Sequence, residues 1–151
     1  MIRVALLAVL VSACGAKDAT EDYIRKSKMI EGRVHLKMIG RNAKQIVEEK
    51  GALPAGSVGP SPSQPCCTFA DKKCPVDAAV WKDPIWDQLL MWEDRPGYFQ
   101  YTYQSDGTSF TATATADVLC EGKPVTFTIT GKIGADQKLV VDDSQVDARS
   151  K

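Results

Sequence analysis

The chain has 151 residues, with 19 basic and 19 acidic side chains and one histidine, so its formal charge is zero. That balance argues against nucleic acid as a default partner, because a nucleic-acid-binding domain of this size is usually distinctly basic. An apolar content of 44%, with no internal repeat and no long low-complexity tract, fits one globular domain with a modest core.

In chain order, the first element is an export segment. Arg3 and the terminal amine supply a positive start, and Val4–Val11 is an apolar run. That run suits a signal peptide and falls far short of the ~20 residues a membrane span needs. Val11-Ser12-Ala13-Cys14 then resembles the lipobox of bacterial lipoproteins: a branched apolar residue, two small residues and a cysteine. The resemblance implies cleavage before Cys14, acylation of its thiol and of the new amine, and hence a lipid anchor. Each buried CH2 contributes ~0.8 kcal/mol, so two or more chains hold a protein stably on a bilayer. Residues 1–13 are expected to be the signal peptide and 14–19 a lipidated tether. Gly15, in place of an aspartate, favours the outer over the inner membrane.

A long helix is expected over Thr20–Lys50. Asp18 or Thr20 can cap it, and Glu21 and Asp22 suit the positive end of its dipole. Tyr23, Ile24, Ile30, Val34, Met38, Ile39, Ala43, Ile46 and Val47 recur at spacings of three and four, which predicts one apolar stripe. Gly51 and Pro54 stop the helix. Gly32 and Gly40 each cost about 1 kcal/mol against alanine, and imply close packing or a bend.

Ala55–Pro65, rich in proline and glycine, reads as a loop. It leads into Cys66-Cys67, with Cys74 and Cys120 further on. An even number of cysteines after Cys14 in an exported chain points to two disulfides. Three connectivities are open. Pairing the neighbours Cys66 and Cys67 strains the backbone, so one of them is expected to join Cys74 and the other Cys120. Asp77–Trp92 reads as short helical pieces, with Asp83-Pro84 as a start signal. Ile85, Trp86, Leu89 and Trp92 are expected on one helical face.

The final third changes period from 3.6 to 2. Tyr98–Tyr103, Ser109–Asp117, a strand through Val125, Phe127 and Ile129, and Leu139–Val141 predict four antiparallel strands joined by tight turns. Residues 144–151 read as a polar, flexible tail. The fold class is therefore α+β: a long N-terminal helix packed on a four-stranded antiparallel meander, with a disulfide-bonded loop region between them.

This order of elements resembles type IV pilins and pseudopilins. Tyr23–Pro54, with Arg33–Lys44 and Glu49–Pro54, is similar to the second half of a pilin's long helix and its exit. Cys66-Cys67, Cys74-Pro75, Pro84–Leu89, Tyr98–Tyr103 and Phe110–Gly131 are similar to the head of a cysteine-containing pilin subgroup. The resemblance covers Tyr23–Val141 and implies a pilin-like domain over 20–143. A pilin also opens on a prepilin-peptidase site and an apolar half-helix bearing a glutamate. Met1–Cys14 stands in their place here, so assembly as a standard pilus subunit is not expected.

Candidate chemistry is sparse. The four cysteines, with or without His35, lack the short paired spacing of a zinc site, and no Cys-x-x-Cys is present. His35, the only histidine, has no evident serine or acid partner in sequence and is expected as a flanking or partly buried packing residue. Asp117–Gly122 lacks the alternating oxygen ligands of a calcium loop. Trp86 and Phe99 are expected in the core, with Trp81 or Trp92 exposed. Arg25, Lys26 and Lys28, close to the expected lipid, are candidates for contact with an anionic membrane surface. No catalytic residue, metal or cofactor is assigned. The expected function is a non-enzymatic, lipid-anchored envelope protein. Its expected partners are membrane lipid, through Cys14, and type IV pilus or secretion-system proteins. The rivals are a pilin subunit with a mis-assigned start, and an envelope ligand-binding protein or enzyme.

Overall fold

The structure, a computed structural model, describes residues 14–144; the signal peptide expected over 1–13 and the tail beyond Ser144 lie outside the described residues. Helix α1 runs Cys14–Lys50, 37 residues, so it begins before the expected Thr20 and includes the segment read as a tether. Among the described residues, no helix is long and apolar enough to cross a membrane.

Five strands follow rather than four: β1 (Gly56–Ser61), β2 (Gln100–Ser105), β3 (Ser109–Ala116), β4 (Val125–Ile133) and β5 (Leu139–Asp142). They form one antiparallel sheet in the order β1-β2-β3-β4-β5. The added strand, β1, lies in the segment expected as a loop. It is an edge strand, where Pro60 is tolerated because its missing N–H leaves no central ladder broken. Pairing to β2 is interrupted between Val58 and Ser61. Gly59 sits there at φ +99, where a Cβ would run into the Tyr101 carbonyl. Ser61, nearly buried, then accepts the Trp86 indole N–H at 2.9 Å. Backbone pairing and one polar anchor make this strand, so it carries no apolar alternation to read.

Alternation does hold in the meander. Phe99, Tyr101 and Tyr103 are buried on one face, as are Phe110, Ala112, Ala114 and Ala116. Opposite them lies the C-terminal part of α1, which buries Leu36, Ile39, Ala43, Ile46 and Val47. Gly32 lets the helix sit on the Phe99 ring, since a Cβ there would lie 2.7 Å from it. Asn42, buried beside them, donates to the Leu89 carbonyl at 2.8 Å. Between β1 and β2, Ala78–Trp81 forms a short 3-10 turn and Pro84–Gln88 forms α2, which is capped by Asp83 through the Ile85 amide at 2.8 Å.

The expected helical stripe is half right. Met38 through Val47 packs inward, but Tyr23, Ile24, Ile30 and Val34 are exposed, and Met29 and Leu36 take the inward positions instead. The sheet begins to cover α1 only near Met29, so Tyr23 and Ile24 have nothing to pack on, while Ile30 and Val34 lie within the covered stretch but off the face that Met29, Leu36 and Ile39 turn to the sheet. Trp92 leaves the helical face expected for it and is, of Trp81 and Trp92, the one exposed. The helix ends at Gln88, and Leu90 at φ +51 turns the chain outward, leaving Trp92 60% exposed while Trp86 is fully buried. Trp81 is also buried.

The disulfides resolve the open pairing: Cys66 joins Cys74, and Cys67 joins Cys120. The first closes the loop after β1. The second ties that loop to the β3–β4 turn.

Candidate functional site

The strongest concentration of interacting polar groups lies where α1 passes the turn after α2. Glu31 and His35 sit one helical turn apart on α1, so their side chains share a face. Tyr101 reaches them from β2, and Glu93 from the segment after Leu90. His35 Nδ1 is hydrogen-bonded to the Tyr101 hydroxyl at 2.7 Å and lies 3.0 Å from Glu93 Oε1. That second approach is off the line a hydrogen bond needs, so the buried Oε1 receives no hydrogen bond. It becomes an ion pair only when the imidazole is protonated. Glu31 Oε1 accepts the backbone amides of Tyr98 and Phe99, at 2.7 and 3.1 Å.

Electrostatics follow from this crowding. Burial pushes the Glu31 carboxyl above its ordinary value; the two amides oppose the shift and the Glu93 charge adds to it. Burial, then the charges of Glu31 and Glu93, push the Tyr101 hydroxyl far above the tyrosine range, so it stays protonated.

An open cleft of about 400 Å³ borders the cluster. Val34, Met38, Leu90 and Trp92 form its apolar wall; Glu31, His35, Glu93, Asp94 and Arg95 form the polar part. Asp94 and Arg95 pair with each other at 3.4 Å, both highly exposed. The lining contains two carboxylates beyond that pair, facing one imidazole, and no hydroxyl or thiol nucleophile.

The residues singled out in the sequence are dispersed around this place. His35 falls in it, partly buried as expected, and Trp92 lines the cleft; the acid against His35 is Glu93, while Glu31, four residues back, shares its helix face, which the spacing could have flagged. Glu93 and Tyr101 are distant in sequence and were not singled out as its partners. The disulfides engage Cys66, Cys67, Cys74 and Cys120, leaving none as a metal thiolate. Asp117 spends its carboxylate on the amides of Glu121 and Gly122, closing its own turn. Arg25 pairs with Glu121 at 3.3 Å, Lys26 with Asp22 at 2.7 Å, and Lys28 donates to the Val118 carbonyl at 2.8 Å while lying over the Tyr98 ring. Each candidate membrane-facing cation thus has a partner within the chain.

Comparisons with protein-family models, with curated proteins and with solved structures find no match to this chain.

Proposed function

We propose that this chain is a non-enzymatic, lipid-anchored protein of the bacterial cell envelope, with a pilin-like head that acts as a structural or interaction module. The observation that carries the contact role is apolar surface gathered in one place. Val34 shares the cleft wall with Leu90 and Trp92, and Ile30 and Tyr23 lie one and three turns before it on the same helix face. All five are exposed. Single exposed apolar residues are unremarkable, but a contiguous set is a feature of interaction surfaces.

The anchor reading rests on Val11-Ser12-Ala13-Cys14, and the pilin-like reading on the motifs quoted above. A long N-terminal helix against an antiparallel sheet with two disulfides is compatible with both. Membrane lipid, through Cys14, and type IV pilus or secretion-system proteins are the proposed partners, with the outer membrane as the proposed destination. The cluster of Glu31, His35, Glu93 and Tyr101 beside an open cleft favours a second reading, an envelope protein that binds a ligand there.

Mass spectrometry of the mature N-terminus tests the anchor. The expected result is an acylated Cys14, with Cys14→Ser and globomycin each blocking cleavage, so that a precursor still carrying residues 1–13 accumulates in the membrane fraction. A methylated N-terminal aromatic residue, produced from an upstream leader, replaces this reading with a pilin subunit.

A further inference from the structure

We propose that the cleft beside α1 receives a basic side chain, a lysine or arginine, from the apolar face of a partner protein's helix. This rests on the contact role proposed above and names what the contact surface recognises.

The cleft has two chemistries side by side. Val34, Leu90 and Trp92 give it an apolar wall, exposed by 54%, 54% and 60%. Leu90 is presented from a left-handed backbone, φ +51, a conformation disfavoured for a leucine and found where surrounding structure imposes it. The inner part is acidic. Asp94 and Arg95 neutralise each other, which leaves Glu31 and Glu93 to face the single imidazole of His35. Even a protonated His35 balances only one of two ionised carboxylates. Glu93 is the poorer served, because its buried oxygen receives no hydrogen bond, whereas Glu31 takes two backbone amides. The buried Oε1 has His35 beside it at 3.0 Å but no hydrogen bond, and Glu93 lines the cleft, where a cation from outside can pair with the rest of its carboxylate.

A basic side chain fits this combination because it is amphipathic along its length. Its aliphatic stem covers apolar wall while its charged head reaches the carboxylate, and a cation near Trp92 gains from the indole face as well. The neighbouring surface says what carries that side chain. Ile30 extends the apolar wall by one turn along α1, with Tyr23 beyond Lys26 on the same face, as an edge for the apolar residues of a helix laid beside it. An anionic bilayer is the wrong occupant, since the acidic cleft opens onto the same face.

The test uses the full chain and two alanine-rich helical peptides. Each carries leucines on one face; one has a lysine among them, and the other has norleucine at that position. The lysine peptide is expected to bind about tenfold tighter, to shift Trp92 emission, and to weaken with added salt. Glu93→Gln is expected to erase the preference for lysine while the melting temperature shows the protein still folded. Trp92→Ala, at an exposed position, is expected to weaken both peptides and the lysine peptide more, and it serves should Glu93→Gln fail to fold. Equal binding of the two peptides overturns the proposal, as does a lysine preference that survives Glu93→Gln. Binding of free n-hexylammonium with no binding of either peptide assigns the cleft to small amines and also overturns it. So does displacement of the lysine peptide by anionic vesicles. None of these results touches the acylation of Cys14, so failure here and failure of the anchor remain separate.

Discussion

Glu31 is held by opposing demands. Its Oε1 accepts two backbone amides that would otherwise be stranded at the start of β2, yet its burial beside Glu93 disfavours the charged form. The carboxyl value is therefore raised in the folded state. A raised group contributes stability that is fully present below its unfolded value and is lost as pH rises through its folded value. Stability is expected to decline from about pH 4 upward as Glu31 ionises. Glu31→Gln keeps an acceptor for both amides and removes the charge, so urea denaturation at a series of pH values should show that decline flattened. Glu31→Ala removes the acceptor and should cost about 1–3 kcal/mol for each amide left without a partner. If the alanine and glutamine variants behave alike, the amide contacts do not hold the residue. Half of this arrangement was legible in the sequence: Glu31 and His35 at i and i+4 on a helix must share a face. The other half was not, because Glu93 and Tyr101 arrive only through tertiary packing of elements far apart in the chain.

Two glycines in α1 look alike in sequence, and packing separates them. At Gly32 an added Cβ meets the Phe99 ring at 2.7 Å, and Phe99 is itself buried and stacked with Phe127. At Gly40 it meets Val141 Cγ1 at 3.2 Å, on a partly buried side chain at the sheet's last strand. Alanine gains about 1 kcal/mol of helix propensity at either position, against about 1–3 kcal/mol for overpacking where the neighbour cannot yield. Gly32→Ala is thus expected to destabilise by up to about 2 kcal/mol and Gly40→Ala to be neutral or slightly stabilising, read by thermal or urea denaturation. Phe99→Leu should recover part of the loss in the Gly32→Ala background. Equal effects at the two positions would mean that the helix does not rest on the Phe99 ring. Elements with a strong period were legible: the C-terminal part of α1, the three inner strands, and α2 with its Asp83-Pro84 start. The period could not say how far the sheet reaches along the helix, so Tyr23 and Ile24 looked like core, nor which of two adjoining apolar faces the sheet takes, so Ile30 and Val34 did too. Nor could it reveal β1, whose residues pair by backbone.

At the scale of the whole molecule, α1 is longer than the body that covers it. Among the described residues the first buried one is Met29 and the first to touch the head is Arg25, through Glu121, so the stretch from Cys14 to about Ile24 lies before the packed part of the helix. At 1.5 Å per residue this is a spacer of roughly 15 Å. With acyl chains on Cys14, two orientations compete. The helix can lie on the bilayer, held by Arg25, Lys26 and Lys28, or it can stand and lift the head away. The three cations already have partners in Glu121, Asp22 and the Val118 carbonyl, and lying flat would press the acidic cleft toward anionic headgroups. The upright orientation is therefore expected. Quenching by brominated lipids separates the two, because bromine reports only on groups in or against the bilayer. In the lipidated protein, the native tryptophans of the head should be unquenched, and an Asp18→Trp variant should add a quenched component. Quenching of Trp92, the exposed tryptophan at the cleft mouth, would instead show the head laid against the membrane. The cleft and its apolar wall would then be covered by lipid rather than open to a protein partner.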